Sequence, residues 1–332
     1  MAQSPRVAIT LSPPHLVVSP NEVTMQAQLT GPAMRLSPAE HQRLRRRYYW
    51  RRYLTAYLFL APNLIFFFLF LVLPCFWVLY LSFHEGGILG APRFVGLKNW
   101  SLIWQDKVAH RALLNTVTYM LMAIPSVFVV AMGLALLLQR VRRGALFIRA
   151  ALYFPTLTPI VLAALLWIFV IHPDFGVLNF LVRLFGGSAV NWLGTGTALP
   201  TIAMLEVWRG AGFWTMLFLA ALISLPEELY DAAKIDGASS WAQFRYLTLP
   251  LLRPTFAFAF VMATIFNFQL FDSVYILTDG GPQNQTATVV WYIYKNTFQF
   301  DKPGAGAAMS FMMLIIILAL TLIQLTLLRR KH

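Results

Sequence analysis

Charge is scarce in this chain. Only 12% of its 332 residues are Asp, Glu, Lys or Arg, and 58% are hydrophobic, where an ordinary soluble domain is ~25% charged. A chain this long and this apolar cannot hide its apolar surface inside a water-soluble globule. Several stretches reach the roughly 20 apolar residues needed to cross a bilayer, so the chain reads as a membrane protein. Cysteine is nearly absent: Cys75 stands alone, which rules out an intrachain disulfide and a zinc site of several thiolates. Lying inside the first apolar run, it reads as a small packing residue. No Gly-x-x-x-x-Gly-Lys-Ser/Thr loop occurs, so the chain is not expected to be an ATPase. There is also no HExxH, nucleophile-elbow or CxxC motif, and His172 beside Pro173-Asp174 reads as an interfacial residue. Acidic residues are few, 13 against 26 Lys and Arg, for a net charge of +13. In a soluble protein that balance suggests nucleic acid. Here the cations cluster at the ends of apolar runs, as the positive-inside rule requires, and no nucleic-acid partner is expected.

The first forty residues hold six of the nineteen prolines and no long apolar core. A signal peptide needs a charged start followed directly by an apolar stretch, so residues 1–42 are expected to form a flexible cytoplasmic tail. Residues 43–332 are expected to form one membrane domain, with spans at about 53–83, 112–139, 150–171, 200–224, 251–271 and 305–328. The first span follows an Arg-rich run from Arg43 to Arg52, whose Tyr48, Tyr49 and Trp50 suit the headgroup interface. It contains Pro62 and Pro74, which membrane helices tolerate where neighbours or water meet the freed carbonyls. The polar stretch from Glu85 to Arg111 reads as irregular or interfacial, and the loop 175–199 carries apolar patches suited to the membrane face.

Six spans place both ends of the chain on one side. The tail, the loop 140–149, the loop 225–253 and the C-terminus carry most of the 26 cations. The alternate segments carry only Arg93, Lys98, Lys107, Arg111, Arg183, Lys295 and Lys302. This excess puts both termini in the cytoplasm. No strong internal repeat is visible, which weakens a reading as an inverted-repeat secondary transporter.

The loop from Leu225 to Pro250 differs from the others. Pro226 suits a helix start, and Glu227, Glu228 and Asp231 in the early turns complement the helix dipole. Ala232-Ala233 favours helix, Gly237 permits a left-handed exit, and a second short helix is expected from Ser239 to Tyr246 before Pro250 stops it. Two short helices joined at a glycine make a rigid protrusion able to take force from a soluble motor. The alternative is a long solvated loop, to which Trp241 and Phe244 contribute little. The spacing Asp231-Ala232-Ala233, Gly237, Leu247 and Leu249-Pro250 resembles the EAA motif of binding-protein-dependent ABC importer permeases. Asp231 replaces that motif's Glu and Leu247 its Ile. The stretch Asn267 to Pro282 and Gly304-Ala-Gly-Ala-Ala308 look like the carbohydrate branch, close to the maltose-type first permease subunit. The likeness covers roughly residue 54 to the end.

The resemblance implies an all-α polytopic fold of six transmembrane helices with type I importer architecture, in a bacterial or archaeal inner membrane. It implies a coupling loop at 226–250, with Glu228, Asp231, Ala232, Ala233, Asp236, Gly237, Leu249 and Pro250 at the ATPase contact. It also implies a second homologous permease, two ATPase subunits carrying ATP and Mg, an extracytoplasmic solute-binding protein and a small-molecule sugar as partners, besides membrane lipid. No cofactor is expected on this chain.

Glu206, Arg209 and Asp272 are costly inside a bilayer and should face a cavity or each other. Glu206 and Arg209 are three apart on a helix and able to pair. Such a pair is either a structural tie or a polar lining for hydroxyl groups. The resemblance places Arg209 and Gly210, and then Asn267, Leu270 and Asp272, at cavity positions, with Leu270 standing for a polar residue. Phe213, Trp214, Phe268 and Phe271 either stack on sugar faces or simply pack. A self-contained channel or ion-coupled carrier is the alternative, but it leaves the loop at 226–250 without a task. A membrane enzyme acting on lipid-linked sugars is a third reading, with Glu206 or Asp272 essential.

Overall fold

The computed structural model describes residues 38–329 except 89 and 142, with the side chains of 38–48, 51, 52, 328 and 329 left aside. The tail expected over 1–42 lies outside the described residues as far as residue 37. Two units are distinguished, up to Val72 and from Leu73 onward, and each is described by itself.

The first unit is helix α1 (Pro38–Phe67), followed by a single π turn (Phe68–Val72). The second begins with α2 (Leu73–Ser82) and a two-stranded antiparallel ladder, β1 (His84–Glu85) with β2 (Arg93–Phe94). Helices α3 (Lys98–Gln105) and α4 (Lys107–Arg140) follow. Next come α5 (Ala145–Leu157), α6 (Ile160–Val170), α7 (Val177–Leu184) and α8 (Ala198–Ile223). A protruding elbow holds α9 (Glu227–Ile235), α10 (Ser240–Gln243), a π turn (Phe244–Thr248) and α11 (Leu249–Leu251). The chain closes with α12 (Arg253–Phe268), α13 (Asp272–Leu277), α14 (Val289–Tyr294), a π turn (Lys295–Gln299) and α15 (Pro303–Arg329).

Among the described residues, five stretches are long and apolar enough to cross a membrane: Tyr53–Ser82, Lys107–Arg140, Ala198–Ile223, Arg253–Leu277 and Pro303–Leu327. A sixth crossing exists if α5 and α6 count as one. Where one straight span was expected over 150–171, these two helices meet at 98°. The cause is local. Thr158 precedes Pro159 and is extended (φ −70°, ψ 127°), the conformation that a following proline ring enforces.

The core is organised along α4. Ala112, Thr116, Tyr119, Ala123, Val127, Ala131, Ala135 and Leu138 are buried and recur every three or four residues, so they share one helix face. Its small residues let α8 approach closely, the usual device where lipid supplies no hydrophobic drive between helices. Phe128 meets Trp214, Phe218 and Phe256 edge-on at 5.3, 5.4 and 6.3 Å between ring centres. This binds α4, α8 and α12 together. The short helices α3 and α7 leave Trp104, Phe180 and Leu184 exposed, as segments lying on a membrane face do.

Candidate functional site

Two regions carry the residues singled out in the sequence. The first is the elbow. Pro226 is extended (φ −62°, ψ 124°) and enters α9, with Glu227 and Glu228 in its first turn. The helix ends on Gly237 at φ +78°. There Gly237 N–H donates to the Lys234 carbonyl (3.0 Å) and Ala238 N–H to the Ala233 carbonyl (2.9 Å), the paired bonds of a Schellman stop. Ser239 then caps α10, its hydroxyl oxygen accepting from Ala242 N–H at 3.3 Å. The Gln243 amide donates to the Ala238 carbonyl (2.9 Å), and Tyr230 and Thr248 hydroxyls meet at 2.9 Å. Asp231 holds Lys234 at 2.9 Å, and that hydrogen bond and charge push the ammonium pKa up.

Pro250 does not stop the helix, contrary to expectation. The chain widens into the π turn, where Leu249 N–H reaches the Phe244 carbonyl. A π turn shifts the bonding by one residue, so the proline ring avoids the clash that would break a regular turn. Glu228, Asp231, Ala232, Asp236 and Gly237 are exposed, while Ala233, Leu249 and Pro250 are half-buried. Phe244 and Leu252 root the elbow in the core. Facing outward are Ile235 (87% exposed), Tyr246 (78%) and Trp241 (70%).

The second region is a cavity of about 470 Å3 lined from α4, α5, α6, α8 and the α12–α13 junction. That volume falls within the ~300–1,000 Å3 of small-molecule sites. Glu206, Arg209, Gly210, Asn267, Leu270 and Asp272 all line it. Glu206 Oε2 accepts from Arg209 Nη2 at 3.0 Å and Nε at 3.2 Å. Its Oε1 accepts from the Ser273 hydroxyl. The Glu206 and Arg209 side chains are 12% and 32% exposed respectively. The Arg209 carbonyl accepts from the Thr156 hydroxyl at 2.8 Å, tying α5 to α8 beside the cavity's guanidinium.

The helix breaks between α12 and α13, over Gln269 to Phe271 (φ −140°, ψ −60° at Phe271). Irregular backbone at membrane depth is tolerated where it lines a cavity or is satisfied by protein. Both conditions hold, since Thr288 donates to the Leu270 carbonyl at 2.8 Å. Asn267 donates back to the Ala263 carbonyl at 2.8 Å. Gln269 lines the cavity as well. Phe213, Trp214 and Phe271 also line it, but Phe268 is fully buried in the core. Tyr119, Thr156 and Ser273 were not anticipated. Nothing in the letters says that α4, α5 and α13 turn those faces to the cavity.

The C-terminal end of α13 is fixed by the Gly-rich segment after it. Asn115 on α4 donates to the carbonyls of Asn284 (2.8 Å) and Ala287 (2.9 Å). Asp279 accepts from Trp291 Nε1 at 3.0 Å and pairs with Lys295 at 2.7 Å. Burial pushes the Asp279 carboxyl pKa up, but the bonds from Lys295 and Trp291 outweigh it and hold it below the ordinary value. Burial, then the Asp106 carboxylate 2.6 Å away, pushes the Tyr292 hydroxyl up.

Residues 100–332 match the family model described as binding-protein-dependent transport system inner membrane component. The chain is 30% identical over 278 residues to the trehalose/maltose transport system permease protein MalF of Thermococcus litoralis, covering 83% of this chain and 94% of that one. It is 32% identical over 281 residues to the sulfoquinovosyl glycerol transport system permease protein SmoG of Agrobacterium fabrum, covering 84% and 91%. Among solved structures it is similar to a chain of a bacterial ABC transporter involved in the import of the acidic polysaccharide alginate. The TM-score is 0.76 and the identity 25%, with 86% of this chain and 99% of that chain covered.

Proposed function

Because the chain belongs to the binding-protein-dependent transport system inner membrane components, as a permease subunit of an ABC importer, we propose that its cavity passes a neutral sugar or polyol. As a member of that family it is a transport subunit rather than an enzyme. Relatives named for trehalose/maltose and for sulfoquinovosyl glycerol differ in substrate charge, so the choice rests on this chain's own residues. Arg209 is neutralised by Glu206, and Asp272 adds a further carboxylate to the lining. A phosphate or uronate would meet net negative charge there, whereas hydroxyls find both donors and acceptors. Phe213 and Phe271 offer flat apolar faces to a sugar ring.

In this reading a second permease completes the pathway, two ATPase subunits bind ATP and Mg, and an extracytoplasmic binding protein delivers the substrate. Both termini and the elbow face the cytoplasm of a bacterial or archaeal cell. The elbow seats Glu228, Asp231, Asp236 and Gly237 against an ATPase subunit, and closure of the ATPases moves it. The observation that carries the docking role is the trio Ile235, Trp241 and Tyr246, left outward on a protrusion that is otherwise capped and cross-bonded. Large apolar side chains are not held rigidly in water without a partner to cover them.

The test is Gly237→Trp in the reconstituted complex. An added Cβ there meets nothing within 4 Å in this chain, though the left-handed backbone strains any side chain, so the effect of bulk is read against a small residue at the same position. ATP hydrolysis should persist while uptake collapses. Gly237→Asn, which tolerates a left-handed backbone, should retain most uptake. Full uptake by the Trp variant would remove the elbow from the coupling path.

A further inference from the structure

We infer that the cytoplasmic extension of α1 is a binding surface for anionic phospholipid headgroups. This rests on the reading that places the N-terminal end in the cytoplasm. Helix α1 starts at Pro38, well before the apolar stretch that opens at Tyr53. The extension carries Arg43, Arg45, Arg46, Arg47, Arg51 and Arg52, and no acidic residue occurs from His41 to His84. Positive-inside topology does not need this density. Another turn read as cytoplasmic, Arg140 to Arg143, manages with Arg140, Arg142 and Arg143.

The residue type points to phosphate. All of these cations are Arg and none is Lys, and the planar guanidinium matches phosphate oxygens bidentately. The position points to lipid rather than to free phosphate. At ~1.5 Å rise per residue, Arg51 and Arg52 stand about 2–3 Å beyond Tyr53 along the helix axis, and Arg43 about 15 Å beyond. The first pair lies at headgroup depth. The rest lie within about two Debye lengths of the surface, ~8 Å each at physiological salt. Trp50, Tyr53 and Tyr57 are exposed around this level, forming the aromatic belt that marks the interface. Polybasic segments at this place attract acidic lipid through the surface potential.

The experiment is native mass spectrometry of the full chain mixed with equal amounts of phosphatidylglycerol and phosphatidylcholine. Wild type should retain phosphatidylglycerol over phosphatidylcholine by on the order of tenfold. The R43Q/R45Q/R46Q/R47Q variant should lose most of that preference, while the matching Lys variant, which keeps the charge but not the bidentate fork, should show an intermediate one. Inorganic phosphate at millimolar concentration should not displace the lipid. Equal retention of both lipids, or a preference unchanged in the Gln variant, would overturn the proposal. So would displacement by inorganic phosphate, or retained nucleic acid in place of lipid. Protease access to an N-terminal tag in sealed vesicles separates the two readings. A tag on the outside refutes the topology itself. A tag on the inside without lipid preference refutes only this inference.

Discussion

Two glycines two residues apart on α8 should respond in opposite ways to the same methyl group. At Gly210 an added Cβ would meet Trp214 Nε1 at 3.7 Å, an ordinary contact. At Gly212 it would overlap the Leu152 carbonyl oxygen and sit 2.9 Å from Tyr153 Cα. Ordinary carbon contacts are ~3.5–4.0 Å, so α5 would have to retreat by about 1 Å. The obstacle is backbone, which cannot rotate aside, and overpacking of this kind costs about 3 kcal/mol. The retreat also stretches the bond from Thr156 to the Arg209 carbonyl, worth about 1 kcal/mol. Better helix propensity of Ala over Gly returns about 1 kcal/mol. The net loss for Gly212→Ala is then about 3 kcal/mol. Gly210→Ala should be neutral or slightly stabilising, although its methyl narrows the cavity. Thermal unfolding followed by size-exclusion fluorescence measures the first effect, and uptake kinetics the second. Gly212→Ala should melt several degrees lower. Gly210→Ala should keep its stability and show weaker apparent substrate affinity. Equal melting temperatures for the two variants would mean that α5 and α8 do not cross as described.

Three further outcomes follow from the geometry. Glu206→Gln leaves Arg209 without its counter-charge and should cost up to about 3 kcal/mol, with uptake lost. Adding Arg209→Met should restore stability without restoring uptake, and a double variant that transports normally would make the pair purely structural. Asp279 has a lowered pKa, so its contribution is present above the unfolded carboxyl value of ~3.9 and is lost as pH falls through the folded value. Proteolysis of the segment after α13 should therefore rise in acid below about pH 4, and Lys295→Met, which removes the main cause of the lowered pKa, should raise proteolysis at neutral pH and flatten its rise in acid. Tyr230→Phe removes the bond to Thr248 and should loosen the elbow by about 1 kcal/mol. Hydrogen exchange over 227–248 would show it, and unchanged protection would mean that the bond contributes nothing.

Much of the membrane architecture was legible because a charge-free run can be read without knowing its neighbours. The elbow was legible for a similar reason: Pro226, the acidic first turn and Gly237 act through local backbone physics. Prolines were the harder case. Pro62, Pro125 and Pro155 sit inside helices, whereas Pro159 marks a right-angled bend and Pro250 is absorbed by a widened turn. What separates them is the backbone just before each ring, extended at Thr158 and widened at Phe244–Thr248, and the letters alone do not announce either. The break at Gln269 to Phe271 contains neither proline nor glycine. It is held open by Thr288 from a later segment, so no local pattern announces it. The contribution of Tyr119 and Thr156 to the cavity depends on helix rotation, which a single sequence does not reveal.

The widened turn at Phe244–Thr248 reaches beyond its own residues. Because Pro250 is accommodated, helical backbone runs from Ser240 to Phe268 with only Leu252 between the segments. At ~1.5 Å per residue that is about 40 Å of rod if straight. One end stands on the protrusion and the other at the cavity floor. A shove at Trp241 would travel to Asn267 as a strut carries a load. The give would come at the unwound residues just past it, since the far side is pegged to α4 by Asn115.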